Sequence, residues 1–198
     1  MKYLTSFILI ILIITPFLTN AQSWSNKEIL NADTANGVKY LTPIEKEVLM
    51  YINLCRLYPN KFLNIELSNY YGTETYGDFL KDSKYRESLI NLLEHMKPVQ
   101  ALNFDINAYS NAKCFAKEQG EAGTTGHKRI KCKDGNYAEC CSYGMHTAKD
   151  IVMQLLIDHD VPSLGHRENC LNKKYSKIGV SVQPHKKWGV CAVIDMIW

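Results

Sequence analysis

The run Ile178-Gly179-Val180-Ser181-Val182-Gln183-Pro184-His185-Lys186-Lys187-Trp188-Gly189-Val190-Cys191-Ala192-Val193-Ile194-Asp195-Met196-Ile197-Trp198 decides the fold. Ile178, Val180 and Val182 alternate, Gln183 to Lys187 turns the chain, and Trp188, Val190, Ala192, Ile194, Met196 and Trp198 alternate back. A period of two on either side of a turn predicts a β-hairpin. Val193 and Ile197 make the other face of the second strand apolar as well. A strand apolar on both faces is covered on both faces. The expected fold is therefore α/β (α+β): a three-layer α-β-α sandwich around a mostly antiparallel sheet.

Four helices are expected upstream. Thr42 as N-cap, Pro43 at the first position and Glu45 in a capping box open the first, with Ile44, Val48, Ile52 and Cys55 at helical spacing and Pro59 as its stop. The second runs from about Lys84 to Met96. Asp105 caps the third, whose apolar face is Ala108, Ala112, Phe115, Ala116 and Gln119 and which Gly120 and Gly123 end. Thr147 with Asp150 caps the fourth, which carries Ile151, Val152, Leu155 and Leu156.

The chain has 198 residues, 46% hydrophobic and 22% charged, the composition of an ordinary folded domain. Its net charge of +3 is too balanced for a nucleic-acid partner. The apolar run Phe7 to Ile14, with Thr19 and Ala21 before polar Gln22, is too short to span a membrane and reads as a signal peptide over 1–21. Residues 22–40 read as a flexible lead-in and 41–198 as one domain. The expected location is secreted, extracellular or periplasmic, with no membrane span after cleavage.

Seven cysteines remain in such an exported chain, so disulfides are expected and one thiol is left over. Candidate pairs are Cys132 with Cys140 or Cys141, and Cys170 with Cys191. Cys55 and Cys114, placed on apolar helix faces, are the candidates for the unpaired thiol. The sequence has no G-x-S-x-G, H-E-x-x-H, P-loop or G-x-G-x-x-G motif.

Three places carry chemistry instead. Gly126-His127 follows the Gly-rich end of the third helix. Tyr137-Ala138-Glu139 reads as a short strand beside Cys140-Cys141. Asp158, His159 and Asp160 cluster where the fourth helix runs out, with Gly165-His166-Arg167 just beyond. Two acids at a helix C-terminus oppose its dipole, which marks a functional cluster over a stabilising one.

Taken in order, these elements resemble the CAP superfamily (SCP/Tpx-like; cysteine-rich secretory, antigen-5 and pathogenesis-related-1 proteins), in its bacterial-type branch. The resemblance rests on the helix with Asn53, Arg56 and Pro59, on Leu102-Asn103-Phe104-Asp105 opening the Ala-rich helix, and on Gly126-His127. It continues through Tyr137-Ala138-Glu139-Cys140, where the family usually has Gly-Glu-Asn, through Leu155 to Asn169 with its Gly-His-Arg-x-Asn ending, and through Ile178-Gly179-Val180. It implies the same α-β-α sandwich and a central cleft with two histidines and two acids. By resemblance these are His127, His166, Glu139 and Asp158, with Asp160 as the substitute for Asp158. Two departures stand out: Cys140 replaces the asparagine, and Leu155 the family's tryptophan.

Two imidazoles suit Zn²⁺ or another divalent cation, weakly held because only His127 and His166 would ligate it. Glu139 and Asp158 would fix the rings from behind. The reading is a non-enzymatic extracellular module that binds a protein, a lipid, a small ligand or a cation. The alternatives are a metal-assisted hydrolase or peptidase with Glu139 as base, and a scaffold whose polar tetrad is only structural.

Overall fold

The computed structural model describes residues 23–73 and 78–198, so residues 1–21, expected above to be a signal peptide, lie outside the described residues. The helices are α1 (Asn26–Ala32), α2 (Pro43–Leu57), α3 (Pro59–Phe62) running into a π-helical segment at Leu63–Leu67, α4 (Lys84–His95), α5 (Ile106–Ala122), α6 (Ala148–Ile157) and α7 (Gly165–Leu171). The strands are β1 (Asn103–Phe104), β2 (Ala138–Tyr143), β3 (Lys177–His185) and β4 (Gly189–Ile197), in the spatial order β1-β3-β4-β2. β1 runs parallel to β3, and the β3–β4 and β4–β2 pairs are antiparallel. No described helix is long and apolar enough to cross a membrane.

The local signals act as expected at most helix ends. Thr42 and Glu45 form the capping box of α2, Asp105 caps α5 through Asn107 N and Ala108 N, and Thr147 caps α6 through Asp150 N. Glu45 does more than cap: fully buried, it also accepts Val182 N at 3.0 Å and so ties α2 to β3.

Three local expectations need correction. The lead-in contains a helix, α1, because Ser25 and Glu28 form a capping box of their own, and Ala32 and Ala35 are buried in the core. The hairpin turn is shorter than Gln183 to Lys187, because Gln183, Pro184 and His185 stay paired with β4. Gly120 does not end α5. It lies inside the helix where a Cβ would collide with the Pro184 carbonyl, and the end falls at Gly123, left-handed at φ 72°.

The three-layer arrangement follows. α5 lies alone on one face of the sheet, where Ala112, Phe115 and Ala116 meet Cys141, Cys191 and Val193. Gly179 allows this close approach, since a side chain there would run into the backbone of Ala108 and Tyr109. The other face packs into the larger core with α2, α6 and α7. β4 is buried from Cys191 to Met196, as its doubly apolar pattern requires.

Cys114 departs from expectation. It is bonded to Cys132, so it is not the unpaired thiol, and Cys132 does not pair with Cys140 or Cys141. Cys114 is two positions from Ala112 and faces away from the sheet, where it meets the 126–137 loop. Cys55 is free and buried, while Cys170 and Cys191 are not bonded to each other. Cys170 lies in the larger core and Cys191 in the α5 layer, so the sheet separates them.

Candidate functional site

The four residues come from two loops and one strand. Gly126, at φ 92°, turns the chain after α5 and presents His127. β2 presents Glu139 from its second residue. The connection from α6 to α7 presents Asp158 and His166. Asp158, Asp160 and Leu164 there are the non-glycine residues with positive φ among the described residues. Such backbone conformations persist only where the surroundings hold them, and they gather at functional sites.

His127, Asp158 and His166 line one open cleft of about 610 Å³. Glu139 joins them through His127, whose Nδ1 lies 2.8 Å from Glu139 Oε1. His166 Nδ1 lies 2.7 Å from Asp158 Oδ1. The two imidazoles stand with ring centroids 6.5 Å apart and planes 34° from parallel. The four residues thus form two imidazole–carboxylate pairs facing a common space. Asp160 stays outside it: its side chain is 82% exposed and reaches only His159.

Asp158 is buried, and its other oxygen accepts the backbone amides of His166 at 3.0 Å and Arg167 at 3.3 Å. α7 has no side-chain cap at Leu164. Asp158 therefore acts as a distant cap for α7 while orienting the histidine that the helix carries. Arg167 is buried behind this pair, with its guanidinium on the Leu156, Ile157 and Tyr85 carbonyls and on Ser88.

Glu139 is held from the other side by Arg129, which bonds Glu139 Oε2 and Asn111 Oδ1 and lies 4.1 Å over the Phe115 ring. His127 is pushed up to about 10 by the Cys141 sulfur, 3.9 Å from Nδ1, and by Glu139, so it is an imidazolium at neutral pH. His127, Glu139 and Cys141 also form a group whose donor atoms lie within 4.8 Å of one another, a set that could hold a metal ion.

The sequence reading missed Arg129, Cys141 and Asp195. Arg129 sits in a loop of lysines and carries no distinguishing signal. Asp195 had one: it is an acid in the middle of a strand that is apolar on both faces. It pairs across the sheet with Glu139, is fully buried, and neither of its oxygens has a hydrogen-bond partner. Burial, then the nearby Glu139 charge, push its carboxyl up to about 7.

The other histidines are structural or peripheral. His185 is buried on the Thr124 carbonyl, and exposed His95 bonds the Asn91 carbonyl of its own helix. His146 is exposed. His159 bonds Ser83 and packs between Phe79 and Tyr85 in the cleft wall. The rest of that wall is largely apolar, with Leu80, Met145, Leu155, Ile157, Val161 and Trp188. Leu155 is fully buried behind it, so the site has an aliphatic wall at the position where the resemblance leads one to expect tryptophan.

Residues 83–196, more than half of the 198, match the family described as the cysteine-rich secretory protein family, CAP. No curated protein matches the chain. The matched span covers α4 through β4 and so contains all four cleft residues. The chain belongs to the CAP family of cysteine-rich secretory proteins.

Proposed function

We propose that this protein is an exported, non-enzymatic binding module whose cleft holds a divalent cation, Zn²⁺ by donor type, on His127 and His166. The observation that carries this reading is the matched pair of Nδ1–carboxylate bonds, His127 to Glu139 and His166 to Asp158. Each bond occupies Nδ1 and leaves Nε2 as the nitrogen that a metal can take in the neutral ring. With metal–nitrogen distances of about 2.0–2.1 Å and a tetrahedral angle at the ion, a shared ion needs ring centroids about 5 Å apart. The observed 6.5 Å is wider than that, so the two rings must close by about 1 Å to share an ion.

The protonated state of His127 sets the strength. An incoming ion displaces that proton, so the site binds weakly near neutral pH and exchanges readily. Zn²⁺, when bound, would supply a Lewis-acidic centre in the cleft, and the apolar wall suits the body of a small amphiphilic ligand. The role of Glu139 favours binding over hydrolysis. Both of its oxygens are engaged, one by His127 and one by Arg129, which leaves no free carboxylate oxygen to act as base.

Calorimetric titration of the full chain with ZnCl₂ tests the reading. Heat is expected for the wild type and none for His127→Ala or His166→Ala. A silent wild type, or heat that survives both substitutions, overturns it.

A further inference from the structure

We infer that Cys140 and Cys170 form a second disulfide, one that ties the Glu139 strand to the His166 helix. Cys140 lies on β2 and Cys170 on α7, both fully buried in the larger core. β2 and α7 pack directly: Cys140 Sγ reaches the His166 carbonyl at 3.7 Å, and Asn169 Nδ2 reaches the Glu139 carbonyl at 3.4 Å. Cys170 is one turn along α7 from that carbonyl, and both cysteines are free thiols in this structure. Two buried free thiols on adjoining elements are the starting point for a bridge.

The other free cysteines are less well placed. Cys141 faces Val193, whereas Cys191 faces Tyr143, so those two are diagonal neighbours across the ladder. Diagonal positions are roughly 7–8 Å apart, beyond the reach of a disulfide. Cys55 also lies near Cys170 but on α2, which meets α7 less closely than β2 does. Cys140 is therefore the partner that the β2–α7 packing favours.

The chemistry balances with an oxidant of the kind that already made the Cys114–Cys132 bond. The two thiols give up two electrons and two protons to a small-molecule or protein disulfide, which leaves as two thiols. The bond closes a loop of about 30 residues that contains α6 and the strained segment from Asp158 to Leu164. Cys140 follows Glu139 directly and Cys170 lies one turn after His166, so the bridge would clamp both halves of the cleft whether or not a cation binds.

The test uses the full chain folded in a glutathione redox buffer, alkylated without reductant, digested and mapped by mass spectrometry. A Cys140–Cys170 peptide beside the Cys114–Cys132 peptide is expected. Alkylation of both Cys140 and Cys170, or a bond from Cys170 to Cys55, overturns the inference. Thermal melts of Cys140→Ala, Cys170→Ala and the double variant give a second readout. Loss of a bridge over this loop lowers Tm by roughly 6–15 °C. The same fall is expected in all three variants, because either substitution removes the whole bond. Additive losses in the double variant contradict it.

Discussion

Replacing Asp158 by asparagine separates charge from shape at the centre of the cleft. Asparagine keeps the side-chain size and tolerates the left-handed backbone at φ 55°, so the substitution adds no strain of its own. It removes the negative charge and one acceptor. Asp158 now accepts three donors: His166 Nδ1 at 2.7 Å, His166 N at 3.0 Å and Arg167 N at 3.3 Å. An amide oxygen can serve the ring or the helix amides, not both sets. Losing one buried charge-assisted bond costs about 1.5–3 kcal/mol, and losing the carboxylate at the α7 N-terminus about 0.3–1 kcal/mol more. The expected loss is about 2–4 kcal/mol, read as a lower urea midpoint or a Tm lowered by roughly 4–16 °C. Zinc affinity should fall about 10–100-fold, because the His166 ring loses the partner that fixes its tautomer. A variant within about 0.5 kcal/mol of wild type refutes the capping argument. A variant that loses stability but binds zinc as before refutes the link between Asp158 and the metal-facing ring.

Other outcomes follow from neighbouring residues. His127 has its folded pKa raised to about 10 from 6.5, so the charged form is favoured in the folded state. That contribution is complete below pH 6.5 and is lost as pH rises through about 10. Its ring is more than half exposed, so solvent screens the effect on stability, and an NMR titration of the ring carbons is the direct check. A midpoint near 6.5 contradicts the stated surroundings. Zinc affinity should rise between pH 6 and pH 9 as the falling proton concentration competes less for the ring, measured by calorimetry at each pH. Asp195→Asn removes a buried acid whose pKa is raised to about 7 from 3.8. Because its ionised form is disfavoured in the folded state, the variant should gain about 1–4 kcal/mol at pH 8 and little at pH 4, measured by urea melts. Arg56→Met leaves the carbonyls of Gln100, Cys170, Asn172 and Tyr175 without their shared donor and should cost more than about 3 kcal/mol by the same assay.

Much of the fold was legible because local signals and the global arrangement agree. The Thr42–Glu45 box, Asp105, Thr147 and the period of β4 each act over a few residues, and tertiary packing reinforces every one. Where reading failed, a distant contact had decided the outcome. Gly120 looks like a helix stop, yet it serves the approach of Pro184 from β3. Cys114 seemed apolar and buried until the actual orientation of α5 turned it outward to Cys132.

The cleft was legible for a different reason. His127, Glu139, Asp158 and His166 were named by position within a resemblance, and no spacing rule joins residues 39 apart. The fold brings them together by closing α5, β2 and the α6–α7 connection around one space. Arg129 and Cys141 stayed hidden because a loop cation and a strand thiol look the same in sequence whether or not they touch Glu139.

The most direct measurement is anomalous diffraction at the zinc edge from crystals of the full chain grown with ZnCl₂. The account predicts one cleft peak about 2.0–2.1 Å from both His127 Nε2 and His166 Nε2, with the Nδ1–carboxylate bonds retained. No peak in the cleft, or a peak held only by His127 Nδ1, Glu139 and Cys141, would contradict it.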